Sequence, residues 1–194
     1  MTTTTPNATT RQFNSVTVPT PGTFVLDKSH TQVGFVVRHL MVSKVRGRFS
    51  DFEGAIVVAE NPAESSVEVT IQAASIDTND AARDAHVRTN DFLAIEEYPT
   101  ITFKSTKVEL GSPDSWKVDG ELTVRGVTRP VSLDVEFQGV IDDPWGNQRI
   151  GFAASAEIDR DEFGVSFNAA LETGGFVVSQ KVKLEIEAEA VRQA

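Results

Sequence analysis

The chain has 194 residues, and 18 lysines and arginines stand against 28 aspartates and glutamates, a formal charge of −10. That balance repels phosphate backbones unless cations gather locally, which argues against nucleic-acid binding. The absence of cysteine excludes disulfide scaffolds, thiolate metal sites and cysteine nucleophiles, and His30, His39 and His86 are the only histidines available for acid–base work.

Residues 1–21 are rich in Thr, Pro and Asn and poor in large apolar side chains, the composition of a disordered leader. They lack the basic and apolar regions of a secretion signal, so a cytoplasmic location is expected, and the sequon at Asn7 is read as a chance match. One domain is expected over residues 22–194.

From Phe24 to His39 the pattern is extended, with Val33, Phe35 and Val37 alternating with Gln32, Gly34 and Arg38, the period-two signature of a half-buried strand. A second strand is expected from Val45 to Val58, with a bend or bulge at Gly54. Val67, Val69, Ile71 and Ala73 mark a third. Asp80 to Asn90 has helix formers after a cap at Thr78 or Asn79, followed by a turn through Phe92 to Pro99. Strands resume at Thr100–Leu110, Trp116–Val124, Val131–Val140, Arg149–Ile158 and Val177–Val191. The breaks at 111–113, 125–130 and 142–147 carry turn chemistry.

Eight strands with one short helical excursion predict an all-β fold: an elongated, antiparallel eight-stranded barrel, with a sandwich as the alternative. The strands exceed the usual five or six residues, so the barrel should be long. An eight-stranded interior can be filled by side chains or can hold one small ligand, and periodicity does not separate the two.

Little chemistry is legible. On an unbroken strand His30 and His39 face opposite sides, as do Asp27 and His30, which disfavours a metal pair or catalytic couple. Asp159 to Gly164 imitates the start of a calcium loop, but Phe163 and Ala170 stand where oxygen ligands are required. The acid pairs Glu96-Glu97 and Asp142-Asp143 read as solvated turn charges. No catalytic residue, metal or cofactor is assigned. The twelve phenylalanines, against two tryptophans and one tyrosine, suit an interior without hydrogen-bond partners.

Four blocks resemble, in order, the polyisoprenoid-binding, YceI-like family. They are Leu26 to Gly54 (LDKSHT, VGF, VRH, GRF, FEG), Arg83 to Ser105 (RDAHVRTNDF, YP, ITF, S), Gly120 to Val131 (GELTVRGVTRPV), and Asp143-Pro144-Trp145-Gly146 with Ile158-Asp159-Arg160. The resemblance implies a lipocalin-like barrel whose tunnel binds, stores or transports a polyprenyl pyrophosphate, an isoprenoid quinone or a similar long lipid. Leu93-Ala94 departs from the second aromatic or Phe-Asp pair that many members carry there.

On that basis the tunnel lining is expected to include Val33, Phe35, Val37, Phe49, Phe92, Phe103, Leu122, Leu133, Phe137 and Phe152, with His39 and Arg38 as head-group candidates at the mouth. Arg38, Lys44, Arg46 and Arg48 form a cationic run read as a solvated strand face in preference to a docking patch. Membrane contact, where it occurs, would be peripheral. Monomer and homodimer both stay open, and the alternatives to a carrier are an enzyme acting on an isoprenoid lipid and a ligand-free interaction domain.

Overall fold

The structure, a computed structural model, describes residues 9–112, 114–170 and 177–194. In chain order the strands are β1 (Thr10–Phe13), β2 (Val16–Pro19), β3 (Gly22–Leu26), β4 (Gln32–His39), β5 (Ser43–Phe49), β6 (Phe52–Val58), β7 (Ser66–Gln72) and β8 (Ile76–Asp77). Helix α1 (Ala81–Arg88) follows, then β9 (Thr100–Leu110), β10 (Ser115–Val124), β11 (Val127–Asp142), β12 (Gln148–Asp159) and β13 (Val178–Arg192).

Each strand from β9 to β13 pairs antiparallel with the next, and β13 closes the cylinder on β3 and β4. The three N-terminal barrel strands are each broken in two. β3 and β4 both pair with β13, β5 and β6 pair with β4 and β3, and β7 and β8 pair with β6 and β5. Counted this way, the closed antiparallel barrel has eight strands, as expected, with one short helix.

The breaks fall side by side at 27–31, 50–51 and 73–75 and are tied together. Lys28 Nζ donates to Asp51 Oδ1 at 2.8 Å, Ser50 N donates to the Ser75 carbonyl at 3.2 Å, and Gln72 N donates to the Asp51 carbonyl at 2.9 Å. The sequence reading runs strands straight through the first two breaks, but the inward parity flips at each: Leu26 is followed by Val33, Phe35 and Val37, and Val45 and Phe49 by Ile56 and Val58. Gly54 is not the bend; it sits in regular register opposite Val69. The register shifts lie between Asp119 and Gly120, between Phe137 and Gly139, and, where β13 meets β4, between Val178 and Val182.

Two more readings are corrected. The helix cap is Asp80, whose carboxylate accepts from Arg83 N at 2.9 Å, because Thr78 and Asn79 precede the extended residue that opens the helix. The turn expected over 125–130 contracts to Arg125-Gly126, both left-handed, and Val127 to Pro130 already pair with β10.

The leader reading fails over Thr10–Pro19, which form a hairpin through the left-handed pair Asn14-Ser15; residues 1–8, with the sequon, lie outside the described residues. Arg11 anchors the hairpin by donating to the carbonyls of Ala59 and Glu60, and Val18 is 1% exposed against the barrel. Thr and Pro enrichment hid the Val16–Val18 alternation.

Aromatic rings lie on glycines inside the wall. A Cβ at Gly120 would meet Phe103 Cζ at 2.4 Å and the Lys104 carbonyl at 2.7 Å. Because backbone cannot yield as a side-chain tip can, Gly120→Ala is expected to cost about 2 kcal/mol, read as a lowered denaturant midpoint with an unchanged slope.

Candidate functional site

The barrel has two unlike ends. Around the end that carries the β11–β12 hairpin and the chain's C-terminus, Phe24, Val58, Phe137, Ile150, Phe152 and Ala190 form a packed cluster. Above this floor an internal cavity of about 550 Å³ extends toward the end that carries α1. Its lower wall includes Val18, Pro19, Val58, Trp116 and Phe152, its middle Phe35, Phe49, Phe103, Leu122 and Leu133, and its upper end His39, His86, Phe92 and Phe167.

Of the residues expected to line a tunnel, Val33, Phe35, Val37, Phe49, Phe92, Phe103, Leu122, Leu133 and Phe152 touch this cavity. Val33, Phe35 and Val37 stay only half-buried although they point inward, because the space in front of them is not filled by side chains. Phe137 does not reach it: it lies beside the β11 bulge and stacks on Trp116 at 5.1 Å, so the indole takes the cavity-facing place. Of the head-group candidates, His39 lines the cavity, whereas Arg38 points outward opposite Lys44, as strand parity requires.

Sequence reasoning missed the upper rim. His86 Nε2 lies 2.7 Å from Asp91 Oδ2, and its ring meets Phe92 and Phe167 edge-on at 5.1 and 5.2 Å. Arg160, 5% exposed, also borders the cavity and donates to the carbonyls of Ser179, Val165 and Phe167 at 2.9, 2.5 and 3.0 Å, which pins the 165–167 segment over the end of β13. Burial lowers its guanidinium pKa.

The facing argument for Asp27 and His30 is overturned. The chain turns at 27–31, so His30 Nδ1 lies 2.9 Å from Asp27 Oδ2, and with Glu189 the pair forms a cluster of metal-ligand type. Arg149 already supplies the positive charge there. Its Nη1 donates to Asp27 Oδ2 at 2.7 Å and to Glu189 Oε1 at 2.6 Å, and its Nε donates to Asp143 Oδ2 at 2.7 Å. The hydrogen bond from Arg149, followed by that from His30, holds the Asp27 carboxyl at about 2. Asp143 is buried and not a solvated turn charge: burial would raise its pKa, but bonds from Arg149 and from Asn147 and Trp145 outweigh it and hold the carboxyl well below the usual range. These groups form a structural ion network and leave the apolar cavity as the functional candidate.

No helix among the described residues is long and apolar enough to cross a membrane. A family model described as the YceI-like domain matches residues 24–190. A UPF0312 protein of Pseudomonas aeruginosa and Protein YceI of Escherichia coli are each 40% identical over 173 residues, covering 88% of this chain and 87% of those proteins. The crystal structure of the Campylobacter jejuni YCEI protein shares 34% identity with a TM-score of 0.70, covering 87% of this chain and 96% of that one. At 15% identity, a polyisoprenoid binding domain from Saccharophagus degradans shares the fold with a TM-score of 0.67, covering 89% of this chain and 99% of that one. With the cavity-bearing barrel and these matches together, the chain belongs to the YceI-like family.

Proposed function

We propose that the protein binds a long apolar lipid of the isoprenoid class, a polyprenyl species or isoprenoid quinone, inside the barrel, and stores or transports it without chemical change. The observation that carries this reading is the cavity of about 550 Å³ inside the barrel, walled mainly by Phe, Val, Leu and Ile. Its size falls within the range of ligand sites. Apolar cavities give water too few partners and take up apolar guests. A prenyl chain burying roughly 300 Å² there would gain about 7.5 kcal/mol at the usual area coefficient, so affinity follows from length more than from specific contacts. The Saccharophagus degradans domain of the same fold, described as polyisoprenoid binding, supports the ligand class.

A carrier is favoured over an enzyme because the lining is overwhelmingly apolar and two of the charged or titratable groups at its upper end are tied into the wall: His86 is paired with Asp91, and Arg160 is bonded to carbonyls. Native mass spectrometry of gently purified protein, followed by organic extraction, is expected to show one copurified isoprenoid per chain. A protein that is empty and also fails to take up added polyprenol or quinone would refute the proposal.

A further inference from the structure

The β4–β5 hairpin closes through Leu40, Met41 and Val42, which are 39%, 59% and 82% exposed. Leu40 and Met41 hold φ angles of 50° and 61°, the left-handed region that tight hairpins ordinarily give to Asn, Asp or Gly. Bulky apolar side chains there are unfavourable for backbone conformation and for solvation together, so the folding of this chain does not explain them.

Their surroundings point to a partner. Leu40 N donates to the Val177 carbonyl at 2.9 Å, and Val177 N donates to the Ala169 carbonyl at 3.1 Å, which brings the 167–169 segment to the same rim. Phe167 is 41% exposed there and also borders the cavity. One rung below the tip, Arg38 stands opposite Lys44, a like-charge pairing that costs stability. Arg46 and Arg48 are paired with Glu185 and Asp77, whereas Arg38 and Lys44 have no carboxylate partner among the described residues. At the other end of the barrel the exposed Ile141 and Trp145 sit beside Asp142 and Asp143. Apolar exposure and unpaired cations therefore coincide at the cavity's upper rim, in a chain of net charge −10.

We propose that this rim docks on an anionic lipid bilayer. Leu40, Met41, Val42 and Phe167 enter the interfacial layer, Arg38 and Lys44 meet lipid phosphates, and the upper end of the cavity is set against the acyl chains. The surface goes beyond the cargo reading and stands on the rim chemistry alone.

Flotation of the full chain with vesicles tests it. Binding to equimolar phosphatidylcholine and phosphatidylglycerol is expected to exceed binding to pure phosphatidylcholine by at least about tenfold at low salt and to fall as salt rises. Charge reversal by Arg38→Glu with Lys44→Glu is expected to remove that preference. Leu40→Asn with Met41→Gly suits the left-handed backbone, so it is expected to raise the melting temperature while weakening vesicle binding; a purely structural tip would leave binding unchanged. Equal binding to both vesicle types, or full binding by the charge-reversed variant, overturns the proposal. Lipid extracted from the same samples separates the two readings. Protein that floats empty and takes up no added isoprenoid keeps the docking surface and loses the cargo. Protein that carries lipid yet binds neither vesicle type loses the docking surface alone.

Discussion

Phe103→Glu is expected to yield a barrel that retains less than about a tenth of the lipid carried by the parent chain. Phe103 is 9% exposed, belongs to the main apolar cluster and lies on Gly120, where its ring forms part of the cavity wall. A carboxylate at that place has no cation within the lumen's middle wall, and the cost of burying it, several kcal/mol, is met by protonation or by drawing in water. Both spoil an apolar site. Lipid content by extraction from native-purified protein is the readout, with thermal unfolding to show that the variant folds. Leu122→Trp, which fills the same part of the cavity with apolar volume, is expected to displace lipid while keeping the barrel intact. Lys104→Gln, one residue along but facing water beside Glu68, is expected to leave lipid content unchanged. A folded Phe103→Glu protein that still carries stoichiometric lipid would mean that the ligand, if there is one, lies elsewhere.

That the inner wall was readable at all follows from the regularity of strands. Parity placed Val33, Phe35, Val37 and His39 on one face and Arg38 on the other, and the structure keeps that alternation. Parity also fails in a definable way. It does not carry through the breaks at 27–31 and 50–51: the inward set changes from Leu26 to Val33, Phe35 and Val37, and from Val45 and Phe49 to Ile56 and Val58, a one-residue change of phase that a reading of continuous strands passes over. Phe137 illustrates the converse: its inward face was legible, but whether it met open space or the packed floor depended on a bulge and on Trp116 stacking from β10. The resemblance supplied the function class, whereas the basic run at 38–48 gained its directional meaning only when the exposed tip between its members was seen at the cavity's rim.

Sequence separation concealed the ion network altogether. Arg149 lies 122 residues from Asp27 and 40 from Glu189, and no local pattern announces that the three converge. Arg149→Met is expected to lower the melting temperature at neutral pH by on the order of 10 °C, because it leaves Asp27, Asp143 and Glu189 facing one another without their shared cation. The pH dependence identifies the cause. In the parent chain Asp27 is depressed to about 2 from an ordinary value of 3.8. Its contribution is therefore fully present above about pH 4 and is lost as pH falls through about 2. In the variant the carboxylates repel, so their pKa values rise and protonation on the way down from pH 7 to pH 4 relieves the strain. The gap in melting temperature between the two proteins should accordingly be widest near neutrality and narrower at pH 4. A gap that stays constant over that range would show that Arg149 acts by packing its aliphatic stem. Arg149→Lys discriminates further: it keeps the charge but not the planar fork that reaches Asp27, Glu189 and Asp143 together, so only part of the stability returns if geometry matters as much as sign.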